Sequence, residues 1–231
     1  MQFGLSKQEL RDIIISVLVL GFVFSYNRWE TISIGIRNFF IAVFVIGIAF
    51  LAHELAHRYV ARKYECKAEY VIWPAGLLLA VVLTILSGGN FIFAAPGFVM
   101  ISTAYATRLG FRYVNLSREE VGKIALSGPI TGIFLAMLFK LLQPLSKEIF
   151  TYAISINLWL AIFNLLPIPP LDGSKVFAWS ISIWGFAIVT ASVLFILYTM
   201  LEINFIISLI ILIAVGLISF LLMETRVPTI F

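Results

Sequence analysis

Charge, cysteine and histidine are what this sequence has least of. Only 12% of its 231 residues are Asp, Glu, Lys or Arg, while 61% are hydrophobic. A soluble domain carries about 25% charged and about 45–50% apolar residues, so the scarcity of charge excludes an ordinary water-solvated fold. A single cysteine, Cys66, excludes an internal disulfide framework. Two histidines and two aspartates leave any metal centre a small stock of donors. The net charge of +4 is not a nucleic-acid signature, and no nucleic-acid partner is expected.

What the chain does have is apolar runs, near 12–28, 38–60, 71–87, 91–107, 123–142, 149–168, 176–199 and 203–222, and a mean hydropathy of +1.05. Runs of this length between short charged stretches match the thickness of a bilayer. The expected fold is an all-α polytopic membrane protein with about six to eight transmembrane helices and the lipid bilayer as its solvent. The region 71–107 stands apart. Pro74, Gly88-Gly89-Asn90 and Pro96-Gly97 interrupt it, so two tight crossings or a re-entrant hairpin are both expected forms. The N-terminus is polar, Ser6 with Glu9 fits a capping box, and the first run lacks a small-residue cleavage site. That run is therefore expected to be a retained span.

Threading the runs as alternating crossings divides the basic residues. Lys7, Arg11, Arg58, Arg62, Lys63, Lys67, Arg108, Arg112, Arg118, Lys123, Lys175 and Arg226 fall on one side, and Arg28, Arg37, Lys140 and Lys147 on the other. Twelve against four assigns the richer side, with the N-terminus, to the cytoplasm of a multi-pass cell-membrane protein.

Both histidines lie in His53-Glu54-Leu55-Ala56-His57, at the end of the apolar run NFFIAVFVIGIAFLA. On a helix the spacing i, i+4 puts two imidazoles on one face, able to share a metal, with the glutamate beside them as general base. Three ionisable groups there are expensive, at about 2.5–3.5 kcal/mol for one carboxylate at the centre of a span, and mark function more readily than structure. A catalytic zinc usually takes three protein ligands and leaves a fourth position open. With no histidine left, the third ligand is a carboxylate or Cys66. Asp12 stands in the polar N-terminal stretch. Asp172, in Asn164-Leu-Leu-Pro-Ile-Pro-Pro-Leu-Asp172-Gly173, closes a run that travels in the same direction as the HExxH run. Asn38 to His53 is about 22 Å of helix at about 1.5 Å per residue, which places both groups in the cytoplasmic third of the bilayer. The prolines at 167, 169 and 170 predict that Asp172 sits on irregular backbone facing inward. A turn ending a span would use the same residue types, and Cys66, in a charged loop, is the weaker candidate.

HELAH within a span, SGPITG (Ser127–Gly132) opening a later one, and NLLPIPPLDG occur in this order, and together they resemble the site-2 protease family of intramembrane zinc metalloproteases. The resemblance implies one membrane domain over 1–231, with a catalytic core over 38–175 and additional C-terminal helices over 176–222. It implies Zn2+ held by His53, His57 and Asp172, Glu54 as the catalytic residue, and Asn164 as a substrate-binding residue. It also implies a membrane-protein substrate whose transmembrane segment unwinds and is held as an extended strand, for which 71–107 is the candidate dock. One position departs from the pattern: many relatives carry asparagine where this chain has Gly132. Two other classes are weighed against this reading. A metal transporter would spread its ligands over several depths, and here they gather at one. A non-catalytic scaffold would have lost the glutamate or a ligand, and all four are present. No feature specifies an oligomeric state.

Overall fold

The computed structural model describes residues 6–107 and 110–224. Helix α1 (Lys7–Ser25) begins where Ser6 Oγ accepts the Glu9 N–H at 3.1 Å. Only half of the expected capping box forms, because the Glu9 side chain turns inward to other partners. A 3-10 turn over Tyr26–Arg28 leads to α2 (Ile32–Lys63), whose 32 residues make it the longest element among those described. At about 1.5 Å per residue it exceeds a hydrocarbon core of about 30 Å, so it extends into an interface.

The region after α2 is where the structure departs most from an all-α fold. Strand β1 (Lys67–Ile72) precedes the short helix α3 (Pro74–Leu86), and β2 (Gly97–Ser102) returns to pair antiparallel with β1, Lys67 opposite Ser102 and Ile72 opposite Gly97. The 91–107 run is therefore not a helical span. Pro96 and Gly97 open β2, and Tyr, Val and Ile in β1 with Phe, Val and Ile in β2 favour extended backbone. The turn after α3 uses Gly88 and Gly89, both at positive φ, where a side chain is strained. A second antiparallel pair, β3 (Ala104–Thr107) with β4 (Gly110–Tyr113), follows.

Helix α4 (Arg118–Leu142) starts at a complete capping box between Ser117 and Glu120 and carries Pro129 within it. Helices α5 (Lys147–Asn164), α6 (Asp172–Trp179), α7 (Ile181–Phe195) and α8 (Phe205–Glu224) complete the eight helices of the described residues, with a π-helical stretch over Ile196–Met200 closing α7. The run expected as one span over 176–199 breaks at Ser180, whose extended backbone ends α6 and whose Oγ caps α7 at Ile183 N–H. By length and composition three helical stretches among the described residues, 32–63, 118–145 and 181–200, are apolar enough to cross a membrane. Helices α1 and α5, at 19 and 18 residues, pack beside them with charged first turns.

One core joins α1, α2 and α5 and includes Leu20, Ile46 and Ile156; a second joins α4, α5 and α7 through Ala136, Leu158 and Leu194. A third, smaller cluster of Ala61, Cys66, Ala68, Val99 and Ile124 seats the hairpin against the end of α2 and the start of α4. Large apolar side chains such as Phe40, Phe44 and Phe134 point outward, each more than 60% exposed, as a lipid-facing surface requires. The basic residues divide by end as the alternating runs predict. Lys7, Arg11, Arg58, Lys67, Lys123 and Lys175 belong to the HExxH end, and Arg28, Arg37, Lys140 and Lys147 to the opposite one, where Arg37 meets Glu148 and Lys147 meets Glu202. Arg108 and Arg226 lie outside the described residues.

Candidate metal centre

Helical periodicity in α2 turns His53 and His57 inward, 6% and 0% exposed, while Leu55 and Tyr59 face out at 59% and 63%. Their ring centroids are 4.7 Å apart. Asp172 arrives from the far end of the sequence. The turn at 165–171 reverses the chain after α5, and Asp172 is the first residue of α6, 2% exposed. The expectation of irregular backbone is corrected: the prolines end α5, but Asp172 already stands in the next helix. Gly173 makes that start possible, since a Cβ there would collide with the carbonyl of Leu165.

Asp172 Oδ2 lies 3.0 Å from His57 Nε2 and 3.3 Å from His53 Nε2, and the three candidate ligand atoms all fall within 4.8 Å of one another. His57 Nδ1 is 2.8 Å from the carbonyl oxygen of Ile124, which can only accept. The proton is therefore assigned to Nδ1, and Nε2 presents a lone pair, the orientation that metal-ligating histidines receive from an outer partner. His57 Nε2 is buried and has no hydrogen-bond partner. Two ligand atoms at about 2.0–2.1 Å from a tetrahedral zinc stand about 3.3 Å apart, so the observed spacings fit a zinc shared by these three groups.

The SGPITG segment supplies the remaining wall. A Cβ on Gly128 would run into Nε2 of both histidines, so only glycine leaves room there. Gly132 packs against the backbone of Asn157 on α5. Glu54, 5% exposed, lines a narrow cleft together with His53, Asp172 and Asn164, and Tyr70 and the strand residues Gly97–Val99 complete its wall. Asn164 Nδ2 donates to Leu160 O at 2.9 Å. The two other donors weighed from the sequence lie elsewhere. Asp12 pairs with Arg11, and the Cys66 thiol is buried and donates to Ala61 O.

Sequence reasoning missed three participants. The Ile124 carbonyl carries no side-chain signal. Gly128 stood within the SGPITG motif, with nothing in the sequence to show the space it leaves at the imidazoles. Lys175 was counted only as a topological charge, although its spacing of i+3 from Asp172 on a helix was a visible cue.

Residues 75–207 match the model of Peptidase family M50, more than half of the chain. The chain belongs to this family. The M50 match contains Gly128 and Asp172, and the HExxH precedes it in α2. A protein of Methanocaldococcus jannaschii that carries a zinc-metalloprotease name, MJ0611, is 41% identical over 189 residues, which cover 79% of this chain and 90% of that protein. A Bacillus subtilis protein with a zinc-metalloprotease name, YwhC, is 28% identical over 149 residues, 58% of this chain and 66% of the other. No solved structure matches the chain. This M50 chain is a membrane metallopeptidase, and zinc is its cofactor.

Proposed function

We propose that the protein hydrolyses a peptide bond in or beside a transmembrane segment of a membrane-protein substrate, with zinc held by His53, His57 and Asp172 and with Glu54 as general base. The observation that carries this reading is the convergence of two imidazole nitrogens and one carboxylate oxygen, all buried, at one end of an apolar helix bundle. Zinc supplies Lewis acidity there, favouring deprotonation of water near neutral pH and polarising the scissile carbonyl. Glu54 accepts the proton of the attacking water and passes it to the departing amine. Asn164, which lines the same cleft, holds the substrate backbone. A span closed by its own hydrogen bonds must unwind first, and β2 on the opposite wall offers an edge for the unwound segment by strand addition. The ten described basic residues of the HExxH end against four at the other support a cytoplasmic site.

The test compares wild type with Glu54→Gln on a purified single-span substrate in liposomes. The variant is expected to retain zinc and to cleave about 10²–10⁴-fold more slowly. Equal rates would remove Glu54 from the reaction, and equal cleavage of a soluble peptide without apolar flanks would remove the membrane substrate.

A further inference from the structure

The pairing of β1 with β2 determines which backbone groups remain open. The Trp73 N–H donates to Pro96 O at 2.8 Å, continuing the register one step past Ile72 opposite Gly97. In an antiparallel ladder hydrogen-bonded and non-hydrogen-bonded pairs alternate. Counting back from Trp73, the Tyr70–Val99 pair is of the second kind, so the backbone groups of both residues point out of the hairpin. Each outward edge meets one ionisable side chain. On the β1 side the Tyr70 N–H donates to Glu9 Oε1 at 2.9 Å, and Glu9, buried at 3% exposure, is paired with Arg58. On the β2 side Lys175 Nζ donates to Val99 O at 3.0 Å. The same ammonium reaches Asp172 Oδ1 at 3.4 Å and Pro170 O at 3.5 Å.

We propose that Lys175 is a positioning residue that caps the open edge of β2 and, with the same ammonium, orients the Asp172 carboxylate. Asp172 Oδ2 faces both imidazoles, and Lys175 takes the other oxygen, so the carboxylate is directed toward the metal position through one atom. Val99 O is the acceptor that an added strand needs. In the free protein the Lys175 ammonium stands where a backbone N–H of an extended substrate would donate. An arriving strand takes over Val99 O and leaves the ammonium to Asp172 and Pro170, so occupancy of the edge and the setting of the metal ligand are coupled through one side chain. The capping half rests on the strand-addition reading above. The Asp172 half does not.

Three measurements separate the halves, using the full chain in detergent with Lys175→Met and Lys175→Arg. First, zinc retention is titrated with a chelator. Lys175→Met is expected to release zinc about 10-fold more readily, as for loss of an outer partner to a metal ligand, and Lys175→Arg is expected to restore retention. Second, binding of a single-span substrate is measured in the Glu54→Gln background. Lys175→Met, which frees Val99 O, is expected to bind about fivefold more tightly, the weight of one ordinary hydrogen bond. Third, Met100→Cys, on the exposed face of β2, is expected to form a disulfide with a single-cysteine substrate when a thiol oxidant is added. Unchanged zinc retention in Lys175→Met overturns the Asp172 half, and unchanged or weaker substrate binding overturns the cap. Absence of any cross-link at Met100→Cys, with zinc retention still lost in Lys175→Met, overturns strand addition and the cap with it while supporting the Asp172 half.

Discussion

Two clusters of polar groups, at opposite ends of the helix bundle, are built in opposite ways. Around the start of α5, at the end away from the HExxH, donors find acceptors within the protein. Asn38 Nδ2 donates to Arg28 O at 2.9 Å, the Arg28 guanidinium lies 4.2 Å above the Tyr152 ring, the Tyr152 hydroxyl donates to Phe24 O at 2.9 Å, and Gln143 Nε2 donates to Thr151 Oγ1 at 2.6 Å. At the HExxH end the central contact sets acceptor against acceptor, the Nε2 lone pair of His57 facing a carboxylate oxygen. Such an arrangement is unfavourable in a low-dielectric interior unless a cation lies between the groups. The first pattern ties α1, α2 and α5 together. The second is a site whose own partners are incomplete, and the fold holds it open.

The comparison is broken most severely at His57. His57→Ala removes one ligand and the group fixed by Ile124, so zinc is expected to fall from stoichiometric to near zero by elemental analysis and cleavage to drop to background. Stoichiometric zinc in that variant would mean that the metal sits elsewhere. Gly128→Ala acts on the same end by crowding. Its methyl group overlaps both Nε2 atoms, so either α4 shifts or the imidazoles do. Overpacking costs about 1–3 kcal/mol, visible in thermal unfolding, and zinc retention against a chelator is expected to weaken with it. Unchanged zinc retention would show that the space beside Gly128 is not needed.

These two residues also show what could be read from the sequence. His53 and His57 were legible because the 3.6-residue period places i and i+4 on one face whatever the tertiary fold. Asp172 was legible by elimination and depth, though its place at a helix start was not, since prolines announce where one helix stops and not where the next begins. The β1–β2 hairpin was legible only as irregularity. Its strands are six residues each, their partners lie about 30 residues apart, and short apolar runs do not distinguish strand from helix by period. Two of the runs read as spans differ for a related reason: apolar runs mark buried segments as readily as membrane-crossing ones, and those at 91–107 and 176–199 are extended or broken.

The smallest expected effect comes from the opposite end, where the comparison can be sharpened. The Phe24 carbonyl lies in the last turn of α1, where helical carbonyls run out of intrahelical donors, and the Tyr152 hydroxyl reaches it from α5. Tyr152→Phe keeps the ring, and with it the packing against α1 and the face beneath Arg28, but leaves that buried carbonyl without this donor. The cost is about 1 kcal/mol, measured as a lower unfolding midpoint in detergent. Zinc retention and cleavage at saturating substrate are expected to stay at wild-type values, because the hydroxyl serves only the joint between α1 and α5. If Tyr152→Phe instead loosened zinc, the two ends would be coupled through α5, which carries Tyr152 near its start and Asn164 at its end. The division between a satisfied cluster and an open site would then have to be replaced by a single network running the length of the bundle.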